Sequence, residues 1–341
     1  MNVNSICISL FLSLFSVPEI CLAADADGLR QTSGSGTTQA DASARNAPGM
    51  MRLAKTKQGY AFYEGRNEIM FYQQQYKAQQ GKYRRCHYIH PLYGLDGEVL
   101  TEDFPADHPH HRGIFWGWHQ LWLGDKKVGD GWSLQDFSWD VYETKIITEK
   151  TLPPALQVKV LWKSPLHTDT FNLPRPLVRE TALIRAYPSA NDRRFIDFRI
   201  SLLALEEGVR LGGSEDDKGY GGFTIRVRLP DMLEFVGAVG PVQPRRTAVV
   251  GGPWMDFSGH FLSAQHVSGL AILVHKSNPG YPQPWILRRK KSAQNAVYPG
   301  RHPVALPTMK PLVLRYRLVV HHGDNRQIDL DNLQSQYNVV K

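Results

Sequence analysis

Histidines are concentrated in residues 103–119, which read DFPADHPHHRGIFWGWH. The titratable and charged side chains at the centre of this stretch are Asp107, His108, His110, His111 and Arg112. Histidine exchanges a proton near neutral pH, whereas arginine is a permanent cation with a rigid set of donors. Three interpretations are open: a general acid/base site, a metal site, and histidines that only hydrogen-bond within a turn.

The spacing of these histidines is compatible with more than one local structure. On a strand, His108 and His110 would face the same side, opposite His111. Pro109 interrupts a strand ladder, so a loop is equally compatible with the sequence. The helical HExxH signature and the closely spaced cysteine pair of common zinc sites are absent from the sequence. The sequence therefore requires no cofactor, although a divalent metal bound by histidine and carboxylate is chemically feasible.

A Gly-rich acidic segment, GGSEDDKGYGG over residues 212–222, is the second group of reactive side chains. It lacks the order of a phosphate-binding loop, and a solvated turn without a function is the alternative to a chemical role for its carboxylates. We predict that His108 or His110 donates or accepts a proton, and that Glu215 or Asp217 is the opposing base.

Aromatic and basic residues near these groups are typical of a sugar-binding pocket, which combines apolar walls with a few convergent polar groups. A Pro-rich segment, HKSNPGYPQPWILRRKK over residues 275–291, has the same mixture. The predicted substrate-binding residues are His90, His111, Arg112, Trp116, Trp118, Lys218, Tyr220, Trp285 and Arg288.

The N-terminus is typical of an exported protein. Residues 6–17 form an apolar run, and small residues suited to cleavage follow at Ala23 and Ala24. The run is shorter than the ~20 residues of a membrane-spanning helix. We therefore predict a cleaved signal peptide over residues 1–24, a secreted or periplasmic protein, and no membrane span. Residues 25–50 are rich in Gly, Ser, Thr and Ala, which predicts a disordered linker.

Beyond this linker the sequence has the pattern of a β protein. Short segments rich in Val, Ile, Phe and Tyr alternate polar with apolar residues and are bounded by Gly, Pro, Asn and Asp. The segment IDLDNLQSQY near the C-terminus is predicted to be helical, with Asp329 or Asp331 as its N-cap. The fold prediction is all-β: a large antiparallel β-sandwich that forms one domain over residues 51–341.

The formal net charge of +8 bears on the class of partner. Basic residues are clustered at Arg245 and Arg246 and again in RRKK over residues 288–291. Predicted export and the lack of a recognition-helix pattern argue against nucleic acid as the partner. An anionic glycan outside the cytoplasm is compatible with the same charge. We therefore expect a carbohydrate ligand.

Four segments resemble the widespread bacterial family labelled methane oxygenase PmoA; they are HYIHPLYGLDGEVLTEDFPADHPHHRGIFWGW, KGYGGFTIRV, GPWMDFSG and LAILVHKSNPGYPQPWILR. The resemblance covers most of residues 60–325. The label denotes a membrane-embedded copper subunit, whose apolar spans this sequence lacks, so we treat the name as misleading. Members of the family look like galactose-mutarotase-like β-sandwich proteins of polysaccharide-degrading bacteria. The resemblance therefore implies a supersandwich and carbohydrate chemistry, but it assigns no residue a role.

These observations lead to the hypothesis of a secreted carbohydrate-active protein. As an enzyme it would act on a glycan or sugar derivative, including an anionic one, by acid–base chemistry of histidine and carboxylate. Hydrolysis, β-elimination and epimerisation are all open. Two alternatives come from other classes: a non-catalytic glycan-binding protein that uses the same surface, and a metal-dependent oxidoreductase.

Overall fold

The computed structural model describes residues 49–340, with gaps at residues 262–263, 265 and 292. The predicted signal peptide over residues 1–24 lies outside the described residues, as does nearly all of the linker predicted over residues 25–50. In the described part of the chain, no helix is both long enough and apolar enough to cross a membrane.

Strands make up most of the described residues. The first twelve are β1 (Met51–Lys55), β2 (Gly59–Glu64), β3 (Asn67–Gln73), β4 (Lys77–Gln79), β5 (Lys82–Arg85), β6 (Tyr88–Leu92), β7 (Ile114–Trp118), β8 (Gln120–Leu123), β9 (Lys126–Gly129), β10 (Ser138–Ile147), β11 (Ala155–Thr168) and β12 (Pro174–Ala186). The following strands are β13 (Arg193–Ala204), β14 (Val209–Gly212), β15 (Gly221–Arg226), β16 (Asp231–Gly237), β17 (Gly240–Pro241), β18 (Trp254–His260), β19 (Ser268–Val274), β20 (Trp285–Ile286), β21 (Ala293–Val297), β22 (Val304–Ala305) and β23 (Leu312–His322). A short 3₁₀ helix (Asn325–Gln327) and the helix α1 (Leu330–Tyr337) follow. The predicted all-β class is confirmed.

Two large antiparallel sheets form the body of the protein. Sheet I has the strand order β1-β2-β3-β6-β7-β15-β21-β20, and sheet II has the order β10-β11-β12-β13-β23-β19-β18-β16-β17. A smaller sheet with the order β22-β14-β8-β9 and the β4-β5 hairpin complete the described strands. Aromatic rings of the two large sheets meet in the core: Trp116 and Phe223 of sheet I contact Phe198 of sheet II. This arrangement confirms the predicted large antiparallel sandwich.

Strand β13 shows how the sequence pattern produces this packing. Along Arg193–Ala204 every second residue is buried, and the residues between them are partly or fully exposed. Successive side chains on a strand point to opposite faces, so the alternation places one apolar row against sheet I. The buried row includes Ile196, Phe198, Ile200 and Leu202.

A buried carboxylate connects the two sheets through the core. Glu180 of β12 is fully buried, and it accepts hydrogen bonds from the indole nitrogens of Trp116 in sheet I, at 2.6 Å, and Trp162 in sheet II, at 2.7 Å. The Nε2 atom of His87 lies 2.8 Å from the same carboxylate, and its Nδ1 atom lies 2.8 Å from the hydroxyl of Tyr72. A buried carboxylate is tolerated when donors surround it in this way.

The C-terminal helix α1 is confirmed together with one of its two predicted caps. The side chain of Asp329 accepts from the backbone N–H of Asn332 at 2.9 Å, which is the contact of an N-cap residue. Asp331 instead accepts from the indole of Trp254 at 2.8 Å. Buried apolar residues of α1, including Leu333, pack with Trp254 in a separate apolar cluster.

Candidate functional site

The histidine-rich segment folds as a loop, not as a strand. We call residues 103–112, between β6 and β7, the histidine loop. Its backbone turns twice: the N–H of His108 donates to the carbonyl of Pro105 at 3.1 Å, and the N–H of His111 donates to the carbonyl of His108 at 2.9 Å. Gly113 follows the loop, and a side chain there would collide with the carbonyl of Ile89. The loop therefore lies tightly against sheet I.

The three loop histidines form one compact group. The ring of His111 stacks on that of His108 at 4.9 Å between centroids and meets that of His110 edge-on at 4.5 Å. His111 also contacts Phe115 and Trp132, which belong to an apolar cluster that covers β7. Because side chains alternate along β7, Phe115 points to this face while Trp116 points into the core. The outer face of sheet I thus supports the histidines.

Arg112 holds the histidine loop in place and does not face the cavity that the histidines line. Its buried guanidinium donates to the main-chain carbonyls of Pro109, His111 and Tyr83. It also lies 3.2 Å from the carboxylate of Asp103 and 3.5 Å above the ring of Phe104. Arg112 is therefore a positioning residue for the loop.

A second arginine, Arg226 of β15, fixes the loop from the sheet. Its guanidinium donates to Asp107 at 2.7 Å and to Glu102 at 2.8 Å, and it approaches Nδ1 of His111 at 3.4 Å. The hydrogen bonds from His108 and Arg226 outweigh the desolvation of Asp107, so the pKa of this carboxyl is lowered. Asp107 therefore remains a carboxylate. Its Oδ2 atom lies 2.9 Å from the Nδ1 atom of His108 and so orients this imidazole ring.

A further imidazole faces the same cavity with its own carboxylate. The Nδ1 atom of His119 lies 2.9 Å from Asp130, which also accepts from the backbone N–H groups of Trp132 and Ser133 at 2.9 and 2.7 Å. Desolvation opposes ionisation of Asp130, but these hydrogen bonds prevail and lower its pKa. A carboxylate on Nδ1 fixes the orientation of the ring and leaves Nε2 available to a ligand.

The two inner histidines are electrically neutral at physiological pH. Burial, together with electrostatic repulsion from the neighbouring His108 and Arg85, lowers the pKa of His110 to about 4. Burial and the neighbouring His110 and Arg226 hold the pKa of His111 well below its usual value. Neither ring carries the proton of an imidazolium near pH 7. They are therefore suited to accept or donate neutral hydrogen bonds, and His108 and His119 have the better geometry for proton transfer.

The site cavity has a volume of about 400 Å³. Its lining combines the histidines His108, His110, His111 and His119 with a second group that includes Asp216, Lys218, Tyr220 and Arg288. Trp132 connects the two groups, since its ring contacts His119 at 5.4 Å and Tyr220 at 5.3 Å. The guanidinium of Arg288 lies 5.4 Å from the centre of the Tyr220 ring. Titratable, cationic and aromatic groups therefore converge here.

A carboxylate of the acidic segment reaches the cavity, but it is neither of the two that were predicted. Asp216 accepts from Lys218 at 2.6 Å and from Ser214 at 2.7 Å. Partial desolvation raises its pKa, yet these bonds prevail and lower it to about 2. Glu215 and Asp217 are exposed and lie near Lys127 and Arg301, respectively. The structure thus brings the predicted Lys218 and Tyr220 to the histidines without the predicted carboxylates.

Four other predicted binding residues lie away from the site cavity. The indole of Trp116 donates to the buried carboxylate of Glu180. The indoles of Trp118 and Trp285 donate to the main-chain carbonyls of Tyr298, at 2.8 Å, and Gly252, at 2.9 Å. These three indoles belong to the main core. His90 is bonded to Thr101 at 3.0 Å, and burial lowers its pKa to about 4.

The sequence prediction omitted His119, Asp130 and Trp132 from the site. The signal available for them was the DGWS segment that begins at Asp130. An aspartate followed by a tight turn accepts backbone N–H groups two and three residues later, as Asp130 does. That signal identifies a turn, but it does not reveal that the turn carries the partner of His119.

A larger cavity adjoins the site cavity on the other side of Ser133. It has a volume of about 770 Å³, and its lining includes Tyr76, Tyr83, Arg84 and Asp140. No histidine of the described chain lines it, and Asp140 is paired with Lys163 at 2.7 Å. The larger volume therefore has fewer groups for chemistry than the site cavity.

A convergent set of metal-binding side chains lies elsewhere. Among the described residues, one group of three ligand atoms lies within 4.8 Å of one another, and it consists of Asp96, His266 and His322. The loop histidines and their carboxylates form no such group in the described part of the chain. The convergent group of possible metal ligands therefore does not include the histidine loop.

We expect the substitution Arg112→Ala to loosen the histidine loop. Three main-chain carbonyls would lose their donor, whereas Asp103 would keep Lys77 and Tyr88 as partners. The free energy of unfolding should therefore fall by about 2 kcal/mol. Chemical denaturation measures this loss, and hydrogen exchange should show faster exchange in residues 103–112. Lys77→Ala is the control, because this half-exposed partner of Asp103 should contribute less than about 1 kcal/mol. Equal losses in both variants would contradict the role of Arg112.

Comparison with known proteins identifies a family without assigning an activity. No curated protein matches the chain. The model of a family of unknown function, DUF6807, matches residues 61–335, which include all of sheet II, sheet I except β1 and the start of β2, the histidine loop and the lining of the site cavity. The chain therefore belongs to this family of unknown function.

Proposed function

We propose that the protein binds a carbohydrate in the site cavity and transfers protons to and from it. The observation that carries this proposal is the presence of two imidazole–carboxylate pairs, His108–Asp107 and His119–Asp130, on one cavity with an aromatic wall. Each pair presents an oriented ring, and an oriented imidazole is the commonest general acid or base.

The two imidazoles would divide the proton transfer between them. One removes a proton from the sugar, and the other, as an imidazolium, returns one. In epimerisation the returned proton goes to the opposite face of the same carbon. In β-elimination a C–H bond and a C–O bond break, a C=C bond forms, and the departing oxygen takes the returned proton. Both schemes balance without a metal or a redox partner.

Hydrolysis by a carboxylate pair is less compatible with this cavity. Glycoside hydrolysis usually needs one protonated and one ionised carboxyl group about 5–9.5 Å apart. Asp216 lines the cavity, but its pKa of about 2 keeps it ionised and bound to Lys218. Glu215 and Asp217 are directed to the surface. Proton transfer at carbon is therefore the reaction class that we favour.

Binding without turnover is the second candidate. It is favoured by the neutral state of His110 and His111 and by the commitment of Asp216 to Lys218, because such groups hold a sugar hydroxyl but do not exchange protons readily. The proposal has two further parts, which both stay predictions. The protein is exported to the periplasm or beyond, and its sandwich has the galactose-mutarotase-like form.

A panel of defined oligosaccharides tests the proposal. Calorimetry with the full chain measures binding, and mass spectrometry in deuterated water detects both new products and deuterium introduced at carbon. Tyr220→Ala should weaken binding about tenfold, because it removes one of the two large aromatic rings, Tyr220 and Trp132, that line the cavity. Tyr142→Ala is the matched control, since Tyr142 is an exposed tyrosine on β10 outside the site cavity. Binding without deuterium incorporation or product would support the second candidate, and equal effects of both variants would refute the cavity.

A further inference from the structure

Another cavity, of about 440 Å³, opens from the site cavity and shares Lys218, Tyr220, Arg288 and Lys290 with it. The other cations that line it are Arg245, Arg246 and Arg289. We call this surface, defined by the six cations Lys218, Arg245, Arg246, Arg288, Arg289 and Lys290, the basic shelf. A ligand in the site cavity that extends past Tyr220 must lie along the basic shelf.

The charge of the basic shelf is almost unbalanced within the described residues. Lys218 is paired with Asp216, but no carboxylate of the described chain lies within ion-pair distance of the five other cations. Arg288 uses its guanidinium to donate to the main-chain carbonyls of Arg245 and Arg246, at 2.8 and 2.9 Å. Arg289 likewise donates to the carbonyl of Leu233. Carbonyls orient these guanidinium groups without neutralising them.

A buried cation behind the site cavity adds to this field. Arg85 is fully buried, and its guanidinium lies between the rings of Phe115, at 4.4 Å, and Trp139, at 4.5 Å. It donates to the carbonyls of Trp116 and Gly131, while its Nε atom has no partner. No described carboxylate lies within ion-pair distance of it. A positive charge in a poorly solvated region attracts anions more strongly than one in water.

From this distribution of charge we propose that the ligand is an acidic oligosaccharide, whose first anionic residue occupies the site cavity while the following residues lie on the basic shelf. The negative charge is that of a sugar carboxylate or a sulfate ester. This inference rests on the proposed function and names its substrate class. Where the anion is a sugar carboxylate, the base takes the proton from the neighbouring carbon and the C–H electron pair is delocalised onto the carboxylate as an enolate, which Lys218 or Arg288 can stabilise.

The test compares trisaccharides that differ in charge. Calorimetry with the full chain measures the dissociation constants of a galacturonic acid trimer, a sulfated galactose trimer and a neutral galactose trimer. An acidic trimer should bind at least about tenfold more tightly than the neutral one, and this difference should shrink as salt is raised. The carboxylate and sulfate arms identify which anionic group is recognised.

A charge-reversal pair tests the basic shelf directly. The double variant Arg245→Glu/Arg246→Glu should weaken the acidic trimer by about tenfold or more and leave the neutral trimer unchanged, because both exposed side chains lie outside the site cavity. The control Lys57→Glu/Arg66→Glu makes the same change of net charge at exposed turn residues outside both cavities. It should alter neither constant.

Several outcomes would overturn the inference. Equal binding of acidic and neutral trimers, or equal effects of the two double variants, would remove the basic shelf as a recognition surface. A single-stranded oligonucleotide that binds more tightly than every trimer would assign the shelf to nucleic acid. If the neutral trimer binds as tightly as both acidic trimers and Tyr220→Ala weakens it, the proposed function stands while this inference fails. If no trimer binds, both fail.

Discussion

Replacing Glu180 by alanine should lower the free energy of unfolding by about 3–5 kcal/mol. The substitution removes the common acceptor of Trp116, Trp162 and His87, and it leaves these donors buried. Each buried donor without a partner costs about 1–3 kcal/mol. The expected fall in the free energy of unfolding is therefore much larger than the cost of removing one buried methylene group. Denaturation in urea, followed by tryptophan fluorescence, measures it.

Two further variants separate the loss of the buried acceptor from other effects of the substitution. Glu143→Ala removes an exposed carboxylate that pairs with Lys159 on the surface of sheet II, and it should cost less than about 1 kcal/mol. Glu180→Gln keeps the volume of the side chain, so its loss reports the missing acceptor without a cavity. If Glu180→Ala destabilises the protein no more than Glu143→Ala, the buried carboxylate does not connect the sheets energetically.

Replacing Asp130 by asparagine should reduce the turnover number about 10²- to 10⁴-fold and leave the Michaelis constant nearly unchanged. The asparagine oxygen can still accept from the N–H groups of Trp132 and Ser133, so the turn should persist. Its amide group cannot hold a positive charge on His119 as the carboxylate does. The measurement is the rate of deuterium incorporation or product formation with the substrate found in the oligosaccharide panel.

A histidine–carboxylate pair outside the site provides the matched control. His167 and Glu206 lie 3.3 Å apart and line neither the site cavity nor the cavity of the basic shelf. Glu206→Gln makes the same chemical change as Asp130→Asn and should leave the rate unaltered. An Asp130→Asn variant as fast as Glu206→Gln would show that the His119–Asp130 pair takes no part in proton transfer.

The fold class and the C-terminal helix could be predicted because the sequence patterns that indicate them lie within short segments of the chain. Alternation along β13 and the Asp329 N-cap of α1 are properties of short segments, and burial acts on them in the expected way. The strand order could not be predicted, because pairings such as β15 with both β7 and β21 join segments far apart in the chain.

The candidate site was predictable in part for the same reason. The histidine loop and Lys218 were found by residue type, which a sequence displays. Whether an indole faces the core depends on which face of a strand it occupies, and β7 is buried on both faces, so the pattern gives no indication for Trp116. The sequence also does not distinguish an arginine that lines the cavity from one that does not. Arg112 and Arg288 both lie beside residues of the candidate site in sequence, yet of these two only Arg288 lines the site cavity.

The manner in which Arg112 and Arg288 are bonded has an evolutionary consequence. Arg112 donates hydrogen bonds to the main-chain carbonyls of Tyr83, Pro109 and His111. Arg288 donates to those of Arg245 and Arg246. A carbonyl is present whatever side chain the residue carries. Side chains such as His110 or Arg245 can therefore be exchanged during divergence while both loops keep their anchors. Relatives that retain these two arginines can acquire new ligands by substituting the residues around them, without rebuilding the scaffold.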